Sequence, residues 1–182
     1  LPIGCDVPET IILADGDFPS HPLALEWLRQ CPYVVCCDGA ANTYIRSGRM
    51  PEAIVGDGDS LLPDIKERYA SLIHSEAEQE TNDLSKAFRF CLSQERKRIT
   101  IMGATGKRED HTIGNVSLLA DYMEQAEVSM MTDYGIFVPI REDSMFESYI
   151  GQQISVFNMN STALSAEGLA YPLSVFTNWW QG

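Results

Sequence analysis

At 182 residues, 45% of them apolar, the chain has room for one large α/β domain or for a large domain plus a small one. A net charge of -13 and a pI near 4.5 argue against a nucleic-acid-binding surface, which needs clustered Lys and Arg, and favour a cationic small molecule as partner. The five cysteines show no CxxC or zinc-ligand spacing, no apolar run approaches the ~20 residues of a membrane helix, and no basic-then-apolar leader opens the sequence. No membrane association and a cytoplasmic, reducing location are therefore expected.

In chain order, TIILA (10–14) reads as a strand buried on both faces, and SHPLALEWLRQ (20–30) as a helix with Ser20 as its cap and Pro22 in the first turn. YVVCC (33–37) and AIVG (53–56) are two further strands. NDLSKAFRFCLSQ (82–94) carries Leu84, Ala87, Phe88, Cys91 and Leu92 on one helical stripe, with Thr81 or Asn82 as its cap. RITIM (98–102) is a fourth strand, and HTIGNVSLLADYMEQA (111–126) a helix with Val116, Leu119, Ala120 and Met123 on one face. Strands alternating with helices imply a parallel sheet with right-handed crossovers. From residue 127 the texture changes: VSMMT, IFVPI, QISVFN and LSVFT follow one another with only turn residues between, which predicts a β-only tail.

Ligands of an open parallel sheet bind beyond the carboxyl ends of its strands. Here those ends are acidic or glycine-rich: Asp15-Gly16-Asp17, Asp38-Gly39, Asp57-Gly58-Asp59 and Gly103. Carboxylates converging on one edge repel unless a cation neutralises them, and an oxygen-only donor set favours Mg2+. GDGDS (56–60) then reads as a metal-holding loop, with a solvated turn as the bland alternative. It is not an EF-hand, because the required Gly and Glu positions are Leu62 and Arg68. TNDLSK (81–86) adds Asp83 in a helix's first turn, with Lys86 on the same polar edge. In GATGKREDH (103–111), Gly103 and Gly106 permit close backbone approach while Lys107 and Arg108 supply phosphate-binding charge at a helix start. Ile101 and Arg108 exclude a Walker loop. His111 and Asn115, one helical turn apart, either touch a ligand or cap the helix.

DGAANTY (38–44), GDGDS, QETNDLSKA (79–87) and GATGKREDHTIGN (103–115), in that order, resemble bacterial thiamine pyrophosphokinase. The resemblance implies an α/β fold class: residues 1–126 as a parallel-sheet, three-layer α/β catalytic domain binding nucleotide and metal, and 127–182 as a small all-β sandwich for thiamine binding and dimerisation. It implies transfer of the pyrophosphoryl group of ATP to the thiamine hydroxyl, with Mg2+ required and AMP released, in a homodimer. Carried over by position, Asp57, Asp59 and Asp83 resemble the metal-binding carboxylates, Asp38 the acid of the DGA motif, and Gln79 the amide before the helix. Arg108 and Asp110 resemble nucleotide-site residues, with Lys86, Ser60, His111 and Asn115 carried over beside them; Gly103, Gly106 and Lys107, read above from the loop itself, complete the expected nucleotide site. The general base stays open between carboxylates not bound to metal, Asp38 or Asp110. Family members continue past a YPL-like segment, here Tyr171, Pro172 and Leu173, into thiamine-contacting residues, whereas this sequence stops at NWWQG (178–182). Trp179 and Trp180 are expected in core or interface packing. Two other readings remain: a haloacid dehalogenase-type phosphatase phosphorylated on Asp57, and a nucleotide or thiamine sensor without turnover.

Overall fold

The computed structural model describes residues 6–75, 81–159 and 164–170. Gln79, Tyr171–Leu173 and both terminal tryptophans lie outside the described residues. The elements are β1 (Thr10–Leu13), α1 (Pro22–Gln30), β2 (Val34–Cys37), α2 (Ala40–Arg46), β3 (Ala53–Val55), α3 (Pro63–Arg68), a 3₁₀ turn (Ala70–Leu72), β4 (Ile73–His74), α4 (Asp83–Ser93), β5 (Arg98–Met102), α5 (Glu109–Tyr122), β6 (Glu127–Met131) and β7 (Ile136–Phe137). They build one sheet in the order β4-β3-β2-β1-β5-β6-β7, parallel throughout except for β7. Helices α2 and α3 are too short to show a helical stripe, so the sequence did not announce them.

Both faces of the sheet are covered, which is why its strands read as unbroken apolar runs. Ile11, Leu13, Val34 and Cys36 pack against α1, α2 and α3, while their neighbours Ile12, Val35 and Cys37 face α4 and α5. On the second face Phe88 stacks on Tyr122 with ring centroids 3.9 Å apart, and Ser85 and Tyr122 share a hydroxyl hydrogen bond of 2.8 Å. Each large side chain buried in this way contributes about 1.5–3 kcal/mol. The chain steps outward from β1 to β4 on one face, then crosses back through α4 to β5 on the other side of β1. That reversal makes the β1–β5 boundary the topological switch point, where α/β sheets open a crevice for ligands.

Two strands assigned to the β tail belong to this sheet instead. VSMMT supplies most of β6, and the first residues of IFVPI form β7, because the turn between them, with the Thr132 N–H on the Gly135 carbonyl at 2.9 Å, folds β7 back onto β6. QISVFN is not a strand among the described residues, and its Ile154 and Phe157 are exposed. LSVFT lies outside the described residues. The chain divides into two compact units, Leu1–Ser144 and Met145–Gly182. Among the described residues no helix is long and apolar enough to cross a membrane.

The expected Ser20 cap of α1 is also corrected. His21 caps the helix, its Nδ1 accepting the Leu23 N–H at 3.2 Å, while Ser20 binds Asp133 in the β6–β7 turn. One Asp133 oxygen accepts the Ser20 and His21 N–H groups at 2.9 Å each and the other accepts the Ser20 hydroxyl, so one carboxylate ties the β1–α1 loop to the far side of the sheet. These bonds, the Ser20 hydroxyl first, hold the Asp133 carboxyl below the usual carboxylate range. A carboxyl with a depressed folded pKa stabilises above its unfolded pKa, and that stabilisation fades as pH falls through the folded value. Asp133→Ala is accordingly expected to cost about 1 kcal/mol at neutral pH. The difference from the unsubstituted chain should vanish in acid, as followed by urea denaturation between pH 2 and 7.

Candidate functional site

The site begins where β2 ends. Asp38 is 4% exposed and carries a positive φ of 30°, a backbone strain of the kind concentrated at functional positions. Its Oδ2 accepts the Ser60 N–H at 3.2 Å, whereas Oδ1 is buried with no hydrogen-bond partner. Burial first, then the charges of Asp57 and Asp83, push its pKa up; the Ser60 N–H opposes them. Asp38 therefore feels the charges of Asp57 and Asp83, although the three arrive from β2, from the loop after β3 and from the first turn of α4.

The GDGDS loop is held from three sides. Asp57 Oδ1 accepts the Asp59 N–H at 3.0 Å, closing the turn from within. Asn42 on α2 donates to the Ser60 carbonyl at 2.8 Å and accepts the Leu62 N–H at 2.9 Å, and Lys66 on α3 donates to the Gly58 carbonyl at 2.9 Å. Sequence reasoning overlooked Asn42 and Lys66. The available signal for Asn42 was its position four residues after Asp38, one helical turn along the DGAANTY motif.

Asp83 is fixed by the cap of α4, where Asn82 Oδ1 accepts the Ser85 N–H at 2.9 Å. Lys86, only 8% exposed, reaches the Asp83 carboxylate at 3.4 Å. Beneath them the Cys37 thiol donates to the Asp83 carbonyl at 3.7 Å, and burial pushes its pKa well up, so it is no thiolate ligand.

On the other side of the switch point, the loops after β1 and β5 are zipped together. The Gly16 N–H donates to the Gly103 carbonyl at 2.6 Å and the Asp17 N–H to the Thr105 carbonyl at 2.8 Å. Gly106, at a φ of 78°, lies so close to the Asp17 carboxylate that a Cβ there would fall 2.1 Å from Oδ2. Lys107 reaches back to Asp15, its Nζ donating to the carbonyl at 2.9 Å and to Oδ1 at 3.0 Å. Gly106, Lys107, Arg108, Thr112 and Ile113 line an open depression of about 380 Å³.

The remaining expected residues divide. Asp110 is paired with Arg108, Nε to Oδ1 at 3.1 Å, and this partner holds its carboxyl below the usual range, opposite to what a general base requires. Asn115 donates to the Ala104 carbonyl at 2.8 Å and accepts from Asn82 at 3.2 Å, which joins the β5–α5 loop to the start of α4. The His111 N–H donates to Asp110 Oδ1 at 3.0 Å at the helix start.

Among the described residues no three or more His, Cys, Asp or Glu side chains form a ready-made metal cage. The donor set nevertheless fits a hard divalent cation. Its members are carboxylate oxygens, and beside them Asp38 Oδ1 is buried without a partner. An ion of the magnesium type takes only one or two protein carboxylates when substrate phosphates complete its shell.

Residues 24–131 match the family model described as thiamin pyrophosphokinase, catalytic domain, and residues 135–182 the one described as thiamin pyrophosphokinase, substrate-binding domain. Thiamine pyrophosphokinase 1 of Oryza sativa subsp. japonica is 30% identical over 129 residues, covering 57% of this chain and 49% of that protein. The thiamine pyrophosphokinase of Bacillus subtilis is 34% identical over 86 residues, covering 45% and 40%. The crystal structure of thiamin pyrophosphokinase from Geobacillus thermodenitrificans superposes with a TM-score of 0.56 at 26% identity, covering 67% of this chain and 58% of that one. The chain thus spans half or less of the length of these two sequence relatives.

Proposed function

Because the chain belongs to the thiamin pyrophosphokinase family, with the α/β domain followed by a small β-rich domain that this family has, we propose that it transfers the pyrophosphoryl group of ATP to the hydroxyl of thiamine, giving thiamine diphosphate and AMP. The observation that carries this reading is Asp38, with a buried and unpartnered Oδ1 and under the charges of Asp57 and Asp83, across the switch point from a loop bearing Lys107 and Arg108.

In this reading Asp57, Asp59 and Asp83 would hold Mg2+, and Asp38 would stay outside the set of metal ligands. Bound there, the cation would neutralise charge developing on the polyphosphate oxygens. The chain's own residues do the positioning. Lys107 and Arg108 offer cationic donors to phosphate, Gly103 and Gly106, which carry no side chain, let the loop after β5 close against Ala14 and Asp17, and Lys86 screens Asp83. Phosphoryl-type transfer needs little proton abstraction, and Asp38, with its raised pKa, suits a base better than Asp110 does. Thiamine, a cation, matches the acidic surface.

The segment beyond β7 would serve thiamine binding and homodimer formation, which the match of 135–182 to a substrate-binding domain supports. Exposed Met145, Phe146 and Ile150 support a partner surface there. Among the described residues Cys31, Cys36, Cys37 and Cys91 are free thiols, which supports a reducing, cytoplasmic setting.

Incubation with ATP, Mg2+ and thiamine tests the reaction. AMP is expected; ADP instead would make the protein a simple kinase, and thiamine binding without nucleotide turnover would make it a sensor. Asp59→Asn should abolish metal-dependent turnover with an unchanged circular dichroism spectrum, because Asp59 is exposed and its N–H, not its side chain, closes the loop turn. Full activity in that variant would remove Asp59 from the metal site.

A further inference from the structure

Asp15 has no role in the reaction as described, yet it stands between the two halves of the site. One carboxylate oxygen, Oδ1, accepts from Lys107 Nζ at 3.0 Å. The other faces the turn that starts with Asp38: a Cβ placed on Gly39 would lie 2.6 Å from Asp15 Oδ2 and 3.1 Å from the Ser60 Cβ. Gly39 has a φ of -56°, which any residue adopts, so the position requires glycine for space and not for backbone freedom. The missing side chain is what lets Asp15 approach Asp38's turn.

The lysine it holds is itself strained. Lys107 has a φ of 56°, in the left-handed region that a lysine rarely enters. Its ammonium is tied to Asp15 twice, at the carboxylate and at the backbone carbonyl, and the Arg108 N–H closes the loop on the Gly106 carbonyl at 2.7 Å. An ammonium has three donors; two are engaged here and one is left for a ligand anion. The pair is half-exposed, 44% for Asp15 and 54% for Lys107, and exposed ion pairs add little stability. A strained backbone held for so small a stabilising return points to presentation of the cation.

We propose that Asp15 is a positioning residue, which aims the Lys107 ammonium at the polyphosphate of a nucleoside triphosphate. The loop after β5 and the carboxylates around Asp38 would thereby act on one substrate. This rests on the phosphotransfer reading above.

A double-mutant cycle with Asp15→Ala, Lys107→Ala and the pair tests it, read both as the KM for ATP and as ATP affinity by calorimetry in EDTA. Asp15→Ala is expected to weaken ATP by about three- to tenfold in both measurements, as loss of a charge-assisted bond does. The KM for thiamine and the melting temperature should stay unchanged, and Asp15→Asn, which keeps an acceptor, should recover part of the loss. In the Lys107→Ala background Asp15→Ala should add nothing. Multiplying effects, wild-type ATP affinity in Asp15→Ala, or a change confined to the Mg2+ requirement would each overturn the proposal. If the unsubstituted protein releases no AMP, the reaction assignment fails, while the affinities in EDTA still decide the role of Asp15.

Discussion

Replacing Asp38 with Asn is expected to abolish pyrophosphoryl transfer and, at the same time, to make the free protein more stable at neutral pH. Asp38 is buried beside two other carboxylates, and its Oδ1 has no hydrogen-bond partner, so its ionised form is disfavoured by desolvation and repulsion together. An amide keeps an oxygen for the Ser60 N–H and supplies an NH₂ group to the neighbouring acids. Substitutions that relieve such a site commonly yield about 1 kcal/mol. Activity should fall by about 10²-fold or more, the scale on which a group facing developing charge acts.

The pH dependence has a definite sign. Folding raises the Asp38 pKa, so the native chain holds this proton more tightly than the unfolded chain does, and ionisation subtracts stability as pH rises from the unfolded value to the raised one. Thermal denaturation from pH 4 to 8 should show that decline in the unsubstituted protein and its loss in Asp38→Asn. Added Mg2+ should raise the melting temperature of the former more than that of the latter. A variant that melts lower than the parent in the absence of metal, or that retains its turnover, would sink the site as described.

The second large effect is expected at Gly16→Ala. A Cβ at this position would fall 2.3 Å from the Thr105 carbonyl oxygen and 2.4 Å from that of Gly103. Both are backbone atoms on the partner loop, so neither can rotate away, and the zipper between the loops after β1 and β5 must open. Overpacking of this kind costs about 1–3 kcal/mol. The loops being parted carry Asp15 and Lys107, so the KM for ATP should rise by about tenfold or more with a smaller change for thiamine. Gly114→Ala on α5 is the matched control, since a Cβ there meets nothing within 4 Å. It should be neutral or stabilising by about 0.5–1 kcal/mol, because alanine is the better helix former. Equal losses in the two variants would show that the zipper does not govern nucleotide binding.

Periodicity and turn chemistry sufficed to find β1, β2, β3, β5, α1, α4 and α5, since a strand buried on both faces reads as an apolar run and an amphipathic helix as a stripe. They misassigned VSMMT and IFVPI, because a short antiparallel pair on a sheet edge has the same local texture as a pair in a separate sandwich. They also chose Ser20 as the cap of α1, where an imidazole nitrogen performs that task and the serine turns to Asp133. A partner 113 residues away leaves no mark on the local sequence.

The sequence by itself determined that acidic residues stand at the ends of β1, β2 and β3, that Asp83 opens a helix, and that a glycine-rich loop with two cations follows β5. Only the tertiary structure decided that these ends are neighbours, through the strand order β3-β2-β1-β5 and the return of α4 across the sheet. Strand order depends on which crossover packs best on which face, a sum over many distant contacts that no local pattern records. Desolvation followed from the same packing, and it is desolvation that turns Asp38 from one acidic residue among many into a buried oxygen without a partner.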